Sequence, residues 1–273
     1  MRLGTFNVHE FTNTNGQDTF NEICQILCSV DLDLIGLQEC NGKMIPELLL
    51  QLNNCCKGKQ KFLLAAKFGG TTVFTRLSVV GEAIKPGEGR YSCCSALWPD
   101  SDQPFQVMVI HLDHRKETTR MKELQTIVQD FQKQNLQLPD IIMGDFNALT
   151  RSDYSSQEWD EIMKVRILGN WELPMTDVTA AMTCIIRKGK AATKIFPSTK
   201  AGYADAYQSA PRREGPKSTC RFGTRIDYVY YNRQALSAHQ WIIEACEQYR
   251  CGGISDHNLV VATFGRYPKK LQK

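Results

Sequence analysis

The sequence lacks any long hydrophobic run, and this absence excludes a membrane-spanning helix. No stretch of the 273 residues approaches the ~20 consecutive apolar residues that such a helix needs. The first segment, MRLGTFNVHEF, has one Arg and no extended apolar core, so it has neither the parts nor the spacing of a secretory signal. We therefore expect an intracellular protein, cytoplasmic or nuclear, with no membrane segment.

The sequence also lacks a Cys-x-x-Cys pair and any Cys/His cluster at zinc-binding spacing, which disfavours a zinc site and a thiol redox centre. It has eleven cysteines, an odd number, and residues 55–56 and 93–94 are directly neighbouring pairs. Such a set does not suit an ordinary disulfide framework. We expect reduced thiols, with Cys24 and Cys28 acting as small apolar residues on a helix.

No repeat, low-complexity tract or linker rich in Pro and Gly divides the chain. The sequence thus predicts one domain over residues 1–267, followed by a short basic tail at 268–273. Net charge is only +4, but ten Lys or Arg against two acids give residues 187–225 a charge of +8, which leaves −4 for the rest. Two interpretations stay open for this basic segment, which are solvated loops or a surface that attracts a polyanion.

Short β-prone runs alternate with amphipathic stretches from one end of the chain to the other. The strongest helix prediction covers 116–135, where an apolar stripe runs among Lys, Glu and Gln. Other helices are predicted from residue 19 onward and over 45–52 and 157–165. Strands are predicted at 3–8, 34–38, 62–66, 72–75, 78–84, 93–98, 105–111, 140–143, 226–231, 239–244 and 259–264. Such interleaving predicts an α/β protein with layers around stacked sheets.

Polar side chains close or follow several of these strands. They are Asn7, Glu39, His111, Asp145 with Asn147, Asp227, and Asp256 with His257. Any one of them has a simpler explanation, since an Asp or Asn beside a Gly is usually a turn residue, but six such places in order indicate a site. Carboxylate and amide oxygens suit Mg²⁺, and two histidines beside such a hard metal indicate hydrolysis of a phosphate ester.

Six ordered motifs carry a resemblance to a known family. They are TFNVH (5–9), LQEC (37–40), HLDH (111–114), GDFNA (144–148), RIDYVYY (225–231) and SDHNLV (255–260). GDFN alone is a weak signal, but the ordered set closely resembles the endonuclease/exonuclease/phosphatase superfamily over the whole domain. The resemblance implies a four-layer α/β sandwich, with two central mixed β-sheets packed face to face, helices outside and the active site at one edge.

The resemblance also implies a metal site and a water-activating group. Glu39 would be the principal Mg²⁺ ligand, with Asn7 and Asp256 holding the ion directly or through water, and Mn²⁺ would be a substitute. Asp145 would orient or deprotonate the attacking water. Asn147 would contact the scissile phosphate beside Asp145, because residues i and i+2 of an extended segment face the same way.

The remaining catalytic roles implied by the resemblance fall on two histidines. His257 would contact the phosphate or act as general acid or base, with Asp227 accepting its other ring N–H. His111 would add a second donor to the phosphate. Asp113 is a candidate partner for His111, although it could instead bond the backbone. Arg120 either braces the site from the following helix or lies exposed on that helix.

We therefore expect a Mg²⁺-dependent phosphohydrolase that cleaves phosphodiesters, with a nucleic acid or a nucleic-acid adduct as substrate. Arg212, Arg213 and Lys217 fall where the superfamily places substrate-contacting loops, so they are the substrate-binding candidates. One alternative is an enzyme for a small or lipid-derived phosphate, such as an inositol phosphate, a phospholipid headgroup or a nucleotide. Another is a non-catalytic binding protein on the same fold. We expect a monomer.

Overall fold

Two mixed β-sheets form the centre of the protein. The structure is a computed structural model, and it describes residues 1–56, 58–173, 175–183 and 202–267. The first sheet has seven strands. In spatial order they are β3 (Leu63–Phe68), β4 (Thr71–Thr75), β2 (Leu34–Gln38), β1 (Arg2–Asn7), β12 (Leu259–Arg266), β11 (Trp241–Tyr249) and β9 (Arg212–Glu214). β1 is parallel to β2 and antiparallel to β12, so the first and last strands are neighbours.

The second sheet has five strands. In spatial order they are β5 (Tyr91–Leu97), β6 (Pro104–His111), β7 (Ile141–Asp145), β10 (Asp227–Asn232) and β8 (Tyr203–Asp205). β6 and β7 run parallel, whereas β10 runs antiparallel to β7. The helices are α1 (Phe20–Ser29), α2 (Ile45–Cys55), α3 (Glu117–Lys133), α4 (Ser156–Leu168), α5 (Asp177–Thr183), α6 (Ala206–Ser209) and α7 (Arg233–Ala238).

The two sheets pack face to face through an apolar core. Because side chains alternate along a strand, Leu3 of β1 faces the other sheet while Phe6 faces the outer helices. At Gly36 of β2 the sheets come so close that an added Cβ would lie 2.5 Å from Val109 and 2.7 Å from Met143. A side chain at this position would collide with the other sheet, so a glycine is required here.

Helices cover the outer faces, which completes four layers. Apolar residues of α1 and α2 pack on the first sheet, and those of α3 and α5 pack on the second. The predicted α/β sandwich with two central mixed sheets is confirmed. No helix in the described residues is long and apolar enough to cross a membrane.

Several local predictions were wrong. The predicted strand at 78–84 forms only isolated bridges, from Val79 to Ala96 and from Ile84 to Cys93. The strands β8 and β9 were missed, since three residues are too few to show a period. Cys28 and Cys55 form a disulfide, because packing of α1 on α2 brings their Cα atoms to 5.8 Å. The expectation of reduced thiols is therefore wrong for this pair. The predicted basic tail at 268–273 lies outside the described residues.

A buried ion triad supports the start of β10. Nε of Arg225 donates to Asp153 at 2.7 Å, and its Nη2 donates to Asp205 at 2.6 Å. All three side chains are buried, and the guanidinium also lies over the ring of Tyr228. The triad links the 3₁₀ turn at Arg151–Asp153 to the end of β8 and to the RID motif. It therefore stabilises the chain immediately before Asp227.

Replacement of Arg225 by Met is expected to lower the free energy of unfolding by about 3–5 kcal/mol, because it leaves two carboxylates buried without their cation. Urea denaturation followed by circular dichroism measures this change. Arg212→Met is the matched control, since Arg212 is 61 % exposed and its ion pairs with Glu214 and Glu247 are long. Equal losses for the two variants would contradict the prediction.

Candidate active site

Strand register brings the predicted polar residues together at one edge of the sandwich. The pairing of Asn7 with Gln38 places Asn7 beside Glu39, the next residue along the chain. In the second sheet, Asp145 pairs with His111 on one side and with Asp227 on the other. Parallel strands ending at the same edge thus assemble the site from residues far apart in the sequence.

The glycine of the GDFN motif allows this close approach of β6 and β7. Gly144 has φ +144°, and a Cβ there would collide with the carbonyl oxygen of Ile110. The backbone conformation is one that L side chains rarely adopt. A side chain at this position would displace Asp145 from its place beside His111. The motif therefore positions its acid through its glycine.

Asn7 bridges the two carboxylates at the base of the site. Its Nδ2 donates to Oε1 of Glu39 at 3.0 Å and to Oδ2 of Asp145 at 3.2 Å. Its Oδ1 accepts from the backbone N–H of His9 at 3.0 Å, and this bond determines which end of the amide faces the acids. The amide nitrogen therefore faces the two carboxylates, and the amide oxygen is already engaged.

Glu39 and Asn147 both adopt left-handed backbone conformations, with φ of 52° and 49°. Such strain is uncommon outside glycine and clusters at functional sites. The segment after Asp145 is consequently not extended, so the predicted same-face argument for Asn147 is wrong. Instead, Asp145 Oδ1 accepts from the Asn147 backbone N–H at 2.8 Å, and Asn147 Nδ2 donates to Leu112 O at 3.0 Å. The turn places the Asn147 side chain in the same pocket as Asp145.

Two imidazoles approach the same carboxylate oxygen of Asp145. His111 Nε2 lies 3.7 Å from Asp145 Oδ2 and 3.6 Å from Glu39 Oε1, and His257 Nε2 lies 3.7 Å from the same Asp145 oxygen. His257 Nδ1 contacts both oxygens of Asp227, at 2.9 and 3.1 Å. Asp227 therefore orients the ring so that its Nε2 is directed at Asp145.

Burial and charge shift the titration of the His257–Asp227 pair. Burial raises the pKa of the Asp227 carboxyl to about 6, although His257 acts in the opposite direction. Burial lowers the pKa of His257, but the carboxylates of Asp227 and Asp145 outweigh it and hold that pKa well above its usual range. The environment therefore favours a charged imidazole that can donate from Nε2.

The donor set fits a hard divalent cation. Oδ1 of Asp256 is buried and has no hydrogen-bond partner among the described residues, and such an orphaned oxygen is costly unless a ligand satisfies it. The carboxylate of Glu39 lines the same pocket. Ligand atoms of Asp145, Asp227 and His257 also lie within 4.8 Å of one another. However, Asp227 and His257 already bond to each other, so we favour Glu39 and Asp256 as ligands.

A pocket of about 870 Å³ opens above these residues. Cationic and aromatic side chains line it in addition to the predicted acids and histidines: Arg115, Lys116, Arg166, Arg221, Trp171 and Phe222. Arg221 belongs to the basic segment 187–225, for which a surface that attracts a polyanion was one interpretation, and the other five were not among the residues predicted to form the site. They come from the loop before α3, from the end of α4 and from the loop before β10, and their convergence depends on tertiary packing, which carries no sequence pattern.

The predicted substrate-binding residues lie outside this pocket. Arg212 pairs with acids on β9 and β11, and the Arg213 guanidinium lies over the ring of Tyr207. Nζ of Lys217 lies 3.8 Å from Glu158 and over the ring of Tyr154. The structure does not bring the three together with the acids and histidines. Residues 184–201, which carry part of the predicted basic segment, lie outside the description.

The HLDH loop after β6 is held by α3. Arg120 is fully buried; it binds Glu117 and donates from Nη1 to the carbonyl oxygen of Asp113 at 2.8 Å, so it braces the loop. Glu123 accepts from the Asp113 N–H at 2.8 Å. The Asp113 carboxylate accepts from two backbone N–H groups of its own turn, and so it is not the partner of His111.

Comparisons with known proteins agree with this fold. A comparison with curated proteins found no match. Among solved structures, the mannosyl-6-phosphatase of Bacteroides thetaiotaomicron aligns with a TM-score of 0.58 and 16 % identity over 97 % of this chain and 99 % of that one. The catalytic domain of human nocturnin aligns at 0.59 and 17 %, over 98 % and 94 %. A humanised TDP2 of D. rerio aligns at 0.56 and 17 %, over 97 % and 98 %.

Identities this low show the fold alone. The sequence profile of the Endonuclease/Exonuclease/phosphatase family, however, matches residues 4–257, nearly the whole chain. That span contains five of the six motifs in full and ends within the last, SDHNLV. The chain therefore belongs to the Endonuclease/Exonuclease/phosphatase family, whose members are phosphoester hydrolases.

Proposed function

We propose that this protein is a divalent-metal-dependent phosphodiesterase whose substrate is a nucleic acid or a nucleic-acid adduct. One observation carries the proposal, namely that the acids Glu39, Asp145 and Asp256 share one pocket with the imidazoles of His111 and His257. Charge in phosphoryl transfer spreads over the non-bridging oxygens, so catalysis requires a cation and positioned donors around the phosphate. The acids would bind the cation, and the imidazoles would donate hydrogen bonds to the phosphate, so the site would supply both requirements.

Glu39 and Asp256 would hold the metal, with Asn7 contributing through a water because its amide oxygen is occupied by the His9 N–H. Mg²⁺ at this position would neutralise charge on the phosphate, and Mn²⁺ would be a substitute. Oxygen ligands with an orphaned carboxylate atom suit both ions.

Asp145 would take a proton from the attacking water. Its buried Oδ2 lies within 3.7 Å of two imidazole Nε2 atoms, so the base is fixed before substrate binds. His257, held through Nδ1 by Asp227, would donate from Nε2 to the phosphate or to the leaving oxygen. His111 would donate to a second phosphate oxygen, and Asn147 would contribute its amide.

The pocket lining supports a nucleic acid over other phosphate esters. The four Arg and Lys side chains that line it in the described part of the chain favour a substrate with several negative charges. Trp171 and Phe222 lie with their ring centroids 5.1 Å apart and are 40 % and 49 % exposed, so part of each ring is free to stack. Aromatic rings interleaved with cations are how many proteins hold single strands.

Hydrolysis of a panel of substrates with and without Mg²⁺ tests the proposal. The panel contains single- and double-stranded DNA, RNA, a 5′-tyrosyl oligonucleotide, bis-p-nitrophenyl phosphate and inositol phosphates. We expect turnover of an oligonucleotide, its loss in EDTA and its recovery with Mn²⁺. If the pocket neutralises three phosphates of a single strand, kcat/KM should fall about 20-fold between roughly 50 and 200 mM salt. Turnover confined to inositol phosphates would contradict the substrate assignment.

A small phosphate ester is the second candidate. The pocket of about 870 Å³ is within the range of sites for small molecules, and one structural neighbour is a mannosyl-6-phosphatase. A small substrate with one or two charges would give a nearly flat response of kcat/KM to salt. The same salt series therefore separates the two candidates without further variants.

A further inference from the structure

One cation of the pocket differs from the others because it is buried. Arg166, near the C-terminal end of α4, is only 6 % exposed but still lines the pocket. Its guanidinium lies over the ring of Trp171, at 5.1 Å from the centroid. Arg115, Lys116 and Arg221 are exposed, so solvent stabilises their charge. Water stabilises the charge of Arg166 far less, because that side chain is buried.

Among the residues that the structure describes, Arg166 also forms no ion pair with an acid. Its Nε is buried and has no hydrogen-bond partner within the described ranges, and its Nη1 contacts the thioether of Met175, a weak acceptor. Burial and the nearby charge of Arg120 lower the pKa of Arg166 to about 10, and the opposing effect of Glu117, which Arg120 binds, does not outweigh them. The residues outside the description, 57, 174, 184–201 and 268–273, contain no Asp or Glu that could pair with it.

A buried, unpaired guanidinium is costly, and proteins retain buried charges where a partner or a ligand compensates them. Arg166 lines the same pocket as the candidate catalytic residues, so the compensating anion would be part of the substrate. We propose that Arg166 anchors a second anion-binding subsite, which takes a phosphate group next to the scissile one. Building on the proposed function, this subsite would select substrates that carry at least two phosphates.

The neighbouring residues suit this role. The ring of Trp171 lies against the guanidinium and limits its movement. Nη1 contacts Met175 and Nε is buried, so Nη2 is the nitrogen left to donate to a phosphate in the pocket. The backbone also helps, since the Trp171 N–H donates to the Arg166 carbonyl oxygen at 2.9 Å and closes the end of α4 over the side chain. Lys116 lines the same pocket and adds positive charge.

A substrate comparison tests the subsite. Dinucleotides with one internal phosphodiester are compared when they carry a terminal 5′-phosphate, a terminal 3′-phosphate or neither. We expect wild-type kcat/KM to favour one phosphorylated form by roughly 10- to 100-fold, the range for a charge-assisted hydrogen bond. Arg166→Met should bring this ratio close to one, whereas Arg166→Lys should keep part of it. Lys164→Met, on the exposed face of the same helix, should leave it unchanged.

Binding without turnover separates this inference from the proposed reaction. In EDTA, pyrophosphate should raise the Tm of the wild type and of Asp145→Asn, and Arg166→Met should lose most of that shift. An unchanged shift, or an unchanged substrate ratio in Arg166→Met, would overturn the subsite. If Arg166 governs pyrophosphate binding but no phosphodiester is hydrolysed, the subsite stands and the proposed reaction falls. Should Arg166→Met fail to fold, Arg166→Lys supplies both readouts.

Discussion

Asp145→Asn is expected to lower kcat about 10³-fold, within the range for loss of a general base. Asp145 Oδ1 accepts from the Asn147 N–H, while Oδ2 accepts from Asn7 and faces His111 and His257. An amide in its place has one NH₂, which must face an N–H donor in either orientation. The variant therefore loses the proton acceptor and also disturbs the groups around it. Single-turnover kinetics with saturating Mg²⁺ measure the chemical step directly.

The matched control lies at the other end of the same strand. Asp140 is largely buried, precedes β7, and accepts from the Gln106 N–H at 2.9 Å, so Asp140→Asn makes the same chemical change away from the pocket. We expect this control to keep wild-type kcat. An Asp145→Asn protein that retains more than a tenth of wild-type kcat would remove Asp145 from the role of base.

Asp227→Asn is expected to cost a similar factor, about 10³- to 10⁴-fold in kcat, with little change in KM. The carboxylate lies 2.9 Å from His257 Nδ1 and accepts a hydrogen bond from its N–H, which keeps Nε2 directed at Asp145. An amide whose NH₂ faced Nδ1 would favour the opposite tautomer. The ring would then be neutral, and its Nε2–H would be a far weaker acid than that of the imidazolium, although the position of the ring would hardly change.

Non-additivity tests this role more sharply than the single variant. If Asp227 acts through His257, then His257→Ala in the Asp227→Asn background should cost little beyond either single change. Independent roles would instead give losses that multiply. Circular dichroism and urea denaturation of all three proteins show whether the fold survives, since Asp227 is fully buried. Multiplicative losses in folded variants would refute the pairing.

The parts of the fold predicted most closely are those whose patterns are strongest. The strand 34–38 was placed without error, and β1, β6 and β12 were placed within one or two residues, because long buried strands show continuous apolar runs. The helix predicted at 116–135 begins and ends within two residues of α3. The segment 78–84 has a similar composition but only two bridges, since pairing depends on neighbours that no local pattern reveals.

The residues of the candidate site likewise divide into those that the sequence predicted and those that it did not. Residues in ordered motifs at strand ends converge because sheet register follows from the strands themselves. The cationic and aromatic lining of the pocket could not be predicted, since Arg166, Trp171 and Phe222 come from a helix end and two loops with no periodic signal. Arg120 was ambiguous from sequence because burial of a charged residue depends on partners such as Glu117, three residues earlier.

The candidate site is divided between the two sheets, and this has a consequence for folding. Asn7 and Glu39 belong to the first sheet, whereas His111, Asp145 and Asp227 belong to the second. Within the described residues, neither sheet alone contains both the proposed metal ligands and the proposed base. An intermediate with both sheets formed but not docked would give a nearly native far-ultraviolet spectrum and no turnover. Enzymatic activity would therefore report the docking of the two sheets, separately from the formation of either one.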